Sequence, residues 1–374
     1  MALELKTTGR VVTSEILLKL PVKYILQMWC VSKSWLDLIS SPDFVKTHLS
    51  LSANNKEYTH HRLMLSSSRA EYHFKHCYLS SLIYESVTRV CDFDNPMRKP
   101  RKTVEIVGSV NGLICLIIGE QDLFIWNTSI RKFKKLPDST ATLMCGYYLM
   151  FGFGYDEFHD DYKVVAIFRN MFVDSLYFTE VNIYSLKSDS WTSIHVSRSG
   201  VLLSRCGKFV NGKLHWITKT AHGWDIICID LADGKWGKVE QPCYGEGKLN
   251  FRLSLGVLGG DLSLFCYYQR MTTHVDLWIM KKYGVKESWT KMFNINHPAD
   301  LVRFLFYPPF CMSNKGEFLF QFVSTFMVYN PKDESLRYLE VTNCDTSFEA
   351  SVYIESLVWP IFPKGSKDAI ITKA

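Results

Sequence analysis

Several chemistries are missing from this chain. Its 11 cysteines include no C-x-x-C pair, which excludes zinc ribbons, RING fingers and thioredoxin-type redox motifs. There is no G-x-S-x-G elbow and no G-x-x-x-x-G-K-[ST] loop. Phe151-Gly-Phe-Gly-Tyr-Asp156 lacks the third glycine and the following helix of a dinucleotide fingerprint, so no nucleotide site and no cofactor is expected. No apolar run approaches the roughly 18 residues of a membrane helix. The first ten residues hold no apolar signal core, and Ile371-Thr-Lys-Ala374 is neither a retention nor a peroxisomal signal, which points to the cytoplasm, with the nucleus open as well. A dominant charge is also lacking. The net +6 comes from 43 basic and 37 acidic residues, and residues 105–374 carry 28 of each. The one basic cluster, Arg98-Lys-Pro-Arg-Lys102, stands beside prolines in an evident loop, so neither a nucleic-acid nor a membrane partner is expected.

What the chain has in quantity is apolar surface. With 374 residues, 47% of them hydrophobic and 14% aromatic, it exceeds what one core of ~150 residues needs, and a disordered chain would lack such surface. The cysteines are odd in number, and most lie inside apolar runs such as Ile114-Cys115-Leu116, which reads as reduced, buried thiols.

A break near residue 50 divides the chain. Before it, the periodicity is helical. Glu15 to Leu20 makes a short apolar turn that Pro21 must end, and Pro21 then suits the first position of the next helix. Ile25, Trp29, Val31, Trp35, Leu38 and Ile39 recur at helical spacing and mark one apolar face, with Lys33, Ser34 and Asp37 opposite. Ser41-Pro42 supplies a cap and first position for a third short helix carrying Phe44, Val45 and Leu49. About forty residues cannot bury all this surface alone, so the fragment needs a partner or must dock on the rest of the chain.

These residues also carry a resemblance. Glu15-Ile-Leu-Leu-Lys-Leu-Pro-Val-Lys23, then Cys30-Val-Ser-Lys-Ser-Trp35, then Leu38-Ile-Ser-Ser-Pro-Asp-Phe44 resemble a plant F-box. The resemblance implies a three-helix unit that docks on a Skp-type adaptor, which bridges to a cullin and to ubiquitin transfer. It implies an adaptor-binding face of Ile16, Leu17, Leu20, Pro21, Ile25, Leu26, Val31 and Trp35. One departure stands out: where F-boxes usually open with Leu-Pro, this chain has Thr8-Gly9. Losing one such apolar anchor forfeits about 1.5–3 kcal/mol, a roughly ten- to hundredfold weaker adaptor complex.

Beyond residue 104 the pattern turns to short strands, and it repeats. An apolar strand closing on Trp126, Tyr184, Asp230, Trp278 or Tyr329 is followed by a second anchor at Phe133, Trp191, Trp236, Trp289 or Leu336. The markers step by 58, 46, 48 and 51 residues, and the anchors follow at gaps of 7, 7, 6, 11 and 7. Tight turns at Asn111-Gly112, Asn211-Gly212, Gly259-Gly260 and Lys315-Gly316 precede four of the five copies, and Asn-Gly between apolar runs is a favoured hairpin turn. A period of ~40–50 residues holding several antiparallel strands is that of a β-propeller blade. Five blades are visible. A sixth would form where residues 61–66 and 71–82 pair with 352–358, removing the open edges. The expected fold is thus a small all-α unit followed by an all-β propeller of six blades. Its divisions are 8–50 for the helical unit, 51–104 for connecting strands and basic loop, 105–360 for the propeller and 361–374 for a tail.

The strand region adds to the resemblance. Gly108-Ser-Val-Asn-Gly-Leu-Ile-Cys115, Phe151 to Asp156 with Asp161-Tyr-Lys-Val-Val165, Asp189-Ser-Trp191 and Tyr353-Ile-Glu-Ser-Leu357 resemble the F-box-associated, kelch-like domain, and Asp276 to Trp289 resembles its S-locus subgroup. This implies a non-catalytic substrate receptor of a Skp-cullin-F-box ubiquitin ligase that marks its target for proteasomal degradation. The S-locus likeness implies an S-RNase of self-incompatibility as target, and F-box proteins of defence signalling share the same features. Target contact falls to the longest blade loops, 169–178, 219–224, 267–274 and 296–303. Their nominated residues are Arg169, Phe172, Tyr177, His222, Trp224, Tyr268, Arg270, His274 and Arg303.

Other chemistries were weighed. A glycan- or small-molecule-binding propeller would want a solvent-facing aromatic pocket, and Trp126, Trp191, Trp236, Trp278 and Trp289 read better as blade core. A kelch-type oxidase would need Tyr and His converging on the axis. His73 and His76 alternate across a strand and do not share a metal ion. Asp156, Glu157, Asp160 and Asp161 crowd one turn, which reads as a solvated loop rather than a cation site.

Overall fold

In a computed structural model of the chain, six sheets follow one another around an axis as the blades of a propeller. The structure describes residues 14–67, 74–93, 97, 102–119, 122–138, 147–170, 177–199, 201–220, 223–244, 251–268, 274–296, 308–322, 325–344 and 348–361. Residues 14–17 are helical, and the helices after them are α1 (Val22–Met28), α2 (Lys33–Ile39), α3 (Pro42–Ala53) and α4 (Leu79–Tyr84). The chain then enters the propeller through β1 (His61–Ser67), β2 (Phe74–Tyr78), β3 (Val87–Arg89) and β4 (Cys91–Phe93).

Five blades follow in chain order. The first is β5 (Val104–Val110), β6 (Leu113–Ile118), β7 (Asp122–Asn127) and β8 (Lys132–Lys135). The second is β9 (Tyr147–Asp156), β10 (Asp161–Asn170), β11 (Tyr177–Ser185) and β12 (Ser190–Ser199). The third is β13 (Val201–Leu202), β14 (Lys208–Val210), β15 (Lys213–Thr220), β16 (Gly223–Asp230) and β17 (Trp236–Val239). The fourth is β18 (Phe251–Leu258), β19 (Asp261–Tyr268), β20 (His274–Met280) and β21 (Trp289–Asn296). The fifth is β22 (Cys311–Met312), β23 (Phe318–Phe322), β24 (Thr325–Asn330) and β25 (Ser335–Tyr338). After β26 (Glu340–Thr342), which pairs in parallel with β3, the chain ends its course in β27 (Phe348–Ile354).

The closing blade has the order β27-β1-β2-β4, so the last strand completes a sheet begun by the first ones. This pairing is the sixth blade that the sequence suggests, with its bounds shifted. The C-terminal strand is 348–354 rather than 352–358, and residues 79–82 of the expected strand belong instead to α4.

The repeat signal is a hairpin register. All five markers lie on the next-to-last strand of their blade and all five anchors on the last. Trp126 faces Phe133, Tyr184 faces Trp191 and Tyr329 faces Leu336 directly. In the third blade the true partner of Trp236 is Ile229, and in the fourth that of Trp289 is Met280, where a 3-10 turn at Lys286–Ser288 lengthens the connection. The two Asn-Gly turns take left-handed conformations at both residues, as the two-residue hairpin demands.

Six apolar clusters fill the interfaces between successive blades. β6 shows how a strand serves two of them. Leu113, Cys115 and Ile117 enter the interface with the second blade, while Ile114, Leu116 and Ile118 enter that with the closing blade. Period-two alternation buries both faces, so the strand reads as an unbroken apolar run. Of the ten described cysteines five are buried, but Cys30, Cys91 and Cys243 are exposed, which corrects the expectation of uniformly buried thiols.

The helical unit is not a separate body. Leu17, Val22, Ile25, Ile39 and Phe44 form one cluster with Ile130, from the β7–β8 turn, and Leu357, just past β27. Asn127, fully buried, donates to the carbonyls of Ser356 (3.0 Å) and Val358 (2.7 Å), holding that segment against the first blade. Lys46 of α3 pairs with Asp160 at 2.9 Å, and His48 Nε2 donates to the Leu20 carbonyl at 2.9 Å. Pro21 stands at the N-cap of α1 rather than its first position. The expected continuous face over 25–39 is broken by Ser32, which caps α2 by accepting from the Trp35 amide. Ser41 and Pro42 start α3 as expected, although its buried side is Phe44, His48 and Ser52.

Histidines cluster at this junction. Burial lowers His48 and His60, and lowers His61 to about 4; His76 and His215 are also lowered to about 4, first by burial. The folded chain therefore favours neutral imidazoles, while the unfolded chain titrates near 6.5. Stability is complete above that pH and is lost as pH falls from about 6.5 toward about 4, each histidine adding up to ~1.4 kcal/mol per pH unit. The melting temperature is expected to be flat from neutral to mildly basic pH and to fall steeply below 6, with His61→Phe flattening the fall. An unchanged melting temperature down to pH 4.5 would contradict this.

Candidate functional site

Two opposite ends of the disc differ in kind. The turns joining first to second strands and third to fourth strands share one end, which also carries the helical unit through Ile130 and Asp160. The other end gathers the connections from second to third strands and from blade to blade. The four loops nominated from sequence all leave from that second end: 169–178 joins β10 to β11, 219–224 joins β15 to β16, 267–274 joins β19 to β20, and 296–303 follows β21.

On the helical unit the eight nominated side chains separate. Ile16 and Val31 are 59% and 58% exposed. Leu20, Leu26 and Trp35 are half-buried at the margin of the cluster, and Pro21 is half-buried too. Leu17 and Ile25 are the correction: at 2% and 0% exposure they belong to the core shared with the propeller and have no surface to offer a partner. Val31 projects because it stands at the break between α1 and α2, where its amide closes the turn onto the Met28 carbonyl. Two further exposed apolar residues, Tyr24 and Leu51, escaped the sequence reading. Tyr24 lies off the apolar stripe, and Leu51 falls past residue 50, where the helical pattern was expected to stop.

At the loop end, Phe172, His222, Arg270 and Arg303 lie outside the described residues, and of Arg169, Tyr177 and Tyr268 only the strand placement is described. Trp224 is half-buried against the third and fourth blades, with the Lys219 ammonium 5.4 Å from its ring centroid. Its carbonyl accepts from Gln241, whose oxygen in turn accepts from the Tyr244 hydroxyl at 3.0 Å. His274 opens β20 and is half-buried opposite Asn296.

The axis at this end carries charge. Arg205 pairs with Glu105 at 2.8 Å, and the Cys206 thiol donates to the same carboxylate at 3.4 Å. Burial first and Glu105 second push that thiol up to about 12, so it is no nucleophile. Glu349 of β27 stays open to water there, yet the surrounding protein, and then the charge of Glu105, raise its carboxyl above the ordinary range.

The acidic turn after β9 is exposed from Glu157 to Asp160, as the solvated loop expected, but the carboxylates at its two ends, Asp156 and Asp161, are buried. Asp156 is buried and accepts from Lys163 (2.7 Å) and His159 (2.6 Å); burial alone would raise its carboxyl, but these bonds outweigh it and hold it low. Asp161, also buried, accepts from the Ser185 hydroxyl at 2.6 Å and the Lys187 amide at 2.9 Å. Asp160 accepts from the Tyr155 hydroxyl, which lowers it most, and then from Lys46. The chain's own donors occupy these carboxylates. Among the described residues no group of three or more His, Cys, Asp or Glu is placed to hold a metal ion.

Comparison with known proteins agrees with this geometry. A family described as the F-box domain matches residues 10–47, and one described as the F-box associated beta propeller domain matches residues 61–359. An F-box/kelch-repeat protein of Arabidopsis thaliana is 32% identical over 358 residues, covering 92% of this chain and 94% of that protein. The F-box protein CPR1 of Arabidopsis thaliana is 31% identical over 374 residues, covering 93% of this chain and 87% of that protein.

Proposed function

This chain belongs to the F-box proteins that carry an F-box-associated β-propeller, and on that footing we propose that it is the substrate-recognition subunit of a Skp-cullin-F-box ubiquitin ligase. The observation that carries the reading is the exposed apolar set Ile16, Tyr24, Val31 and Leu51 on a helical unit whose Leu17, Val22, Ile25, Ile39 and Phe44 are buried against the propeller. Large apolar anchors at the centre of a patch dominate protein interfaces, and these fit the Skp-type adaptor that an F-box implies. The propeller's loop end, opposite the end that carries the helical unit, receives the target protein.

Such a protein needs no catalytic residue. Because the helical unit and the propeller share one core, adaptor and target are held at a fixed separation. A target lysine near a ubiquitin-charged enzyme then reacts as if intramolecularly. Work in the cytoplasm or nucleus suits this role, and no helix among the described residues is long and apolar enough to cross a membrane.

The S-RNase target rests on the segment 276–289 alone. That segment is β20, its turn and the start of β21. Leu277, Ile279, Met280 and Trp289 are buried in blade interfaces, and its turn lies at the end carrying the helical unit. It supports the fold and leaves the choice of target to the opposite loops, whether in self-incompatibility or in defence. The glycan-binding reading gains nothing from the cleft of about 430 Å³ lined by Lys134, Lys135, Leu136, Pro137, Asp138 and Asp189, which has no aromatic wall.

The test is affinity capture of the full chain from plant cells with the proteasome inhibited, followed by mass spectrometry. A Skp-type adaptor, a cullin and one accumulated target are expected together. Capture without any Skp-type adaptor would overturn the assignment.

A further inference from the structure

Phe158 is the most exposed large apolar side chain among the described residues, at 85%. It stands at the tip of the turn between β9 and β10, at the end that carries the helical unit, and its ring meets the edge of His159 at 4.8 Å between centroids. The turn beneath it is held firmly. One oxygen of buried Asp156 accepts from the amides of Phe158 (3.1 Å) and His159 (3.2 Å), and Lys187 donates to the His159 carbonyl at 2.9 Å. Two residues on, Asp160 is paired with Lys46 of α3. The propeller thus presents a naked aromatic ring on a pre-ordered turn fastened to the helical unit.

From this placement we infer that the turn 156–161 is a second contact for the adaptor that seats on the helical unit, with Phe158 as its anchor. The inference rests on the adaptor reading above and extends the contact from the helices to the propeller. Continuity argues for this occupant. The Lys46–Asp160 pair joins the turn to the helix that exposes Leu51, and the target loops leave the disc from its other end. A turn whose backbone is already ordered loses little freedom on binding, and buried aromatic anchors carry a large share of interface energy.

Isothermal titration of the full chain with a purified Skp-type adaptor tests it. Phe158→Ala is expected to weaken binding about tenfold with the melting temperature unchanged, Phe158→Leu to retain most of the affinity, and Phe158→Asp to weaken it further. Wild-type affinity in both Phe158→Ala and Phe158→Asp would overturn the second contact while leaving the adaptor reading intact. No binding by the wild-type chain would overturn both.

Discussion

Replacing Ile16 and Val31 together by aspartate is expected to weaken adaptor binding at least ~100-fold, because each apolar side chain contributes about 1.5–3 kcal/mol when buried at an interface. The melting temperature should stay where it is, since both side chains are more than half exposed in the free chain. Ile25→Asp should behave in the opposite manner. It places a charge in the cluster that Leu17, Phe44, Ile130 and Leu357 share, and an unpaired buried charge costs several kcal/mol or unfolds its surroundings. Adaptor binding is then lost through lost structure, visible as a lower and broader melt. The pair of variants separates contact from support by titration and calorimetry. Full adaptor affinity in the Ile16→Asp, Val31→Asp chain would remove the proposed face.

The second large effect concerns ring closure. Gly112 has φ +79, and a Cβ there would lie 2.2 Å from the Ser356 hydroxyl and 2.7 Å from the Ile354 carbonyl oxygen. The second of these is backbone of the strand that closes the propeller, so it cannot swing aside. Gly112→Ala should therefore displace β27 from its place beside the first blade and cost ~3 kcal/mol or more, the positive φ accounting for only about 1 of it. At roughly 2–4 °C per kcal/mol for a domain of this size, the melting temperature should drop by about 6–12 °C. Gly212 is the control. It occupies the equivalent turn of the third blade at φ +71, with nothing within 4 Å of its would-be Cβ, so Gly212→Ala should show the conformational cost alone. Equal effects of the two substitutions, measured by thermal denaturation, would refute the closure contact.

Particular residues show how far local pattern reaches. The seven-residue gap from Trp126 to Phe133 could be read because a hairpin places its cross-strand partners at a constant separation, and both are large enough to notice. The same reading slipped by one residue at Asp230 and by two at Trp278, where a charged strand end and a 3-10 turn alter the count. Asp156 and Asp161 read as solvated because sequence shows their charge and not the Lys163 and Ser185 donors that meet them. Ile16 and Leu17 are neighbours of the same chemistry, yet one is bare and the other buried.

That last pair marks the boundary between the two kinds of information. Composition, period and turn chemistry by themselves determine a helical unit ahead of repeated four-stranded blades, because strand alternation and hairpin turns are local and recur with each copy. Whether the ring closes, and which apolar side chains of the helices remain uncovered, was decided only in three dimensions. The groups that cover them, Ile130 and Leu357, lie 113 and 340 residues beyond Leu17, and hydrophobic burial is non-directional, so nothing in the local pattern names its partner.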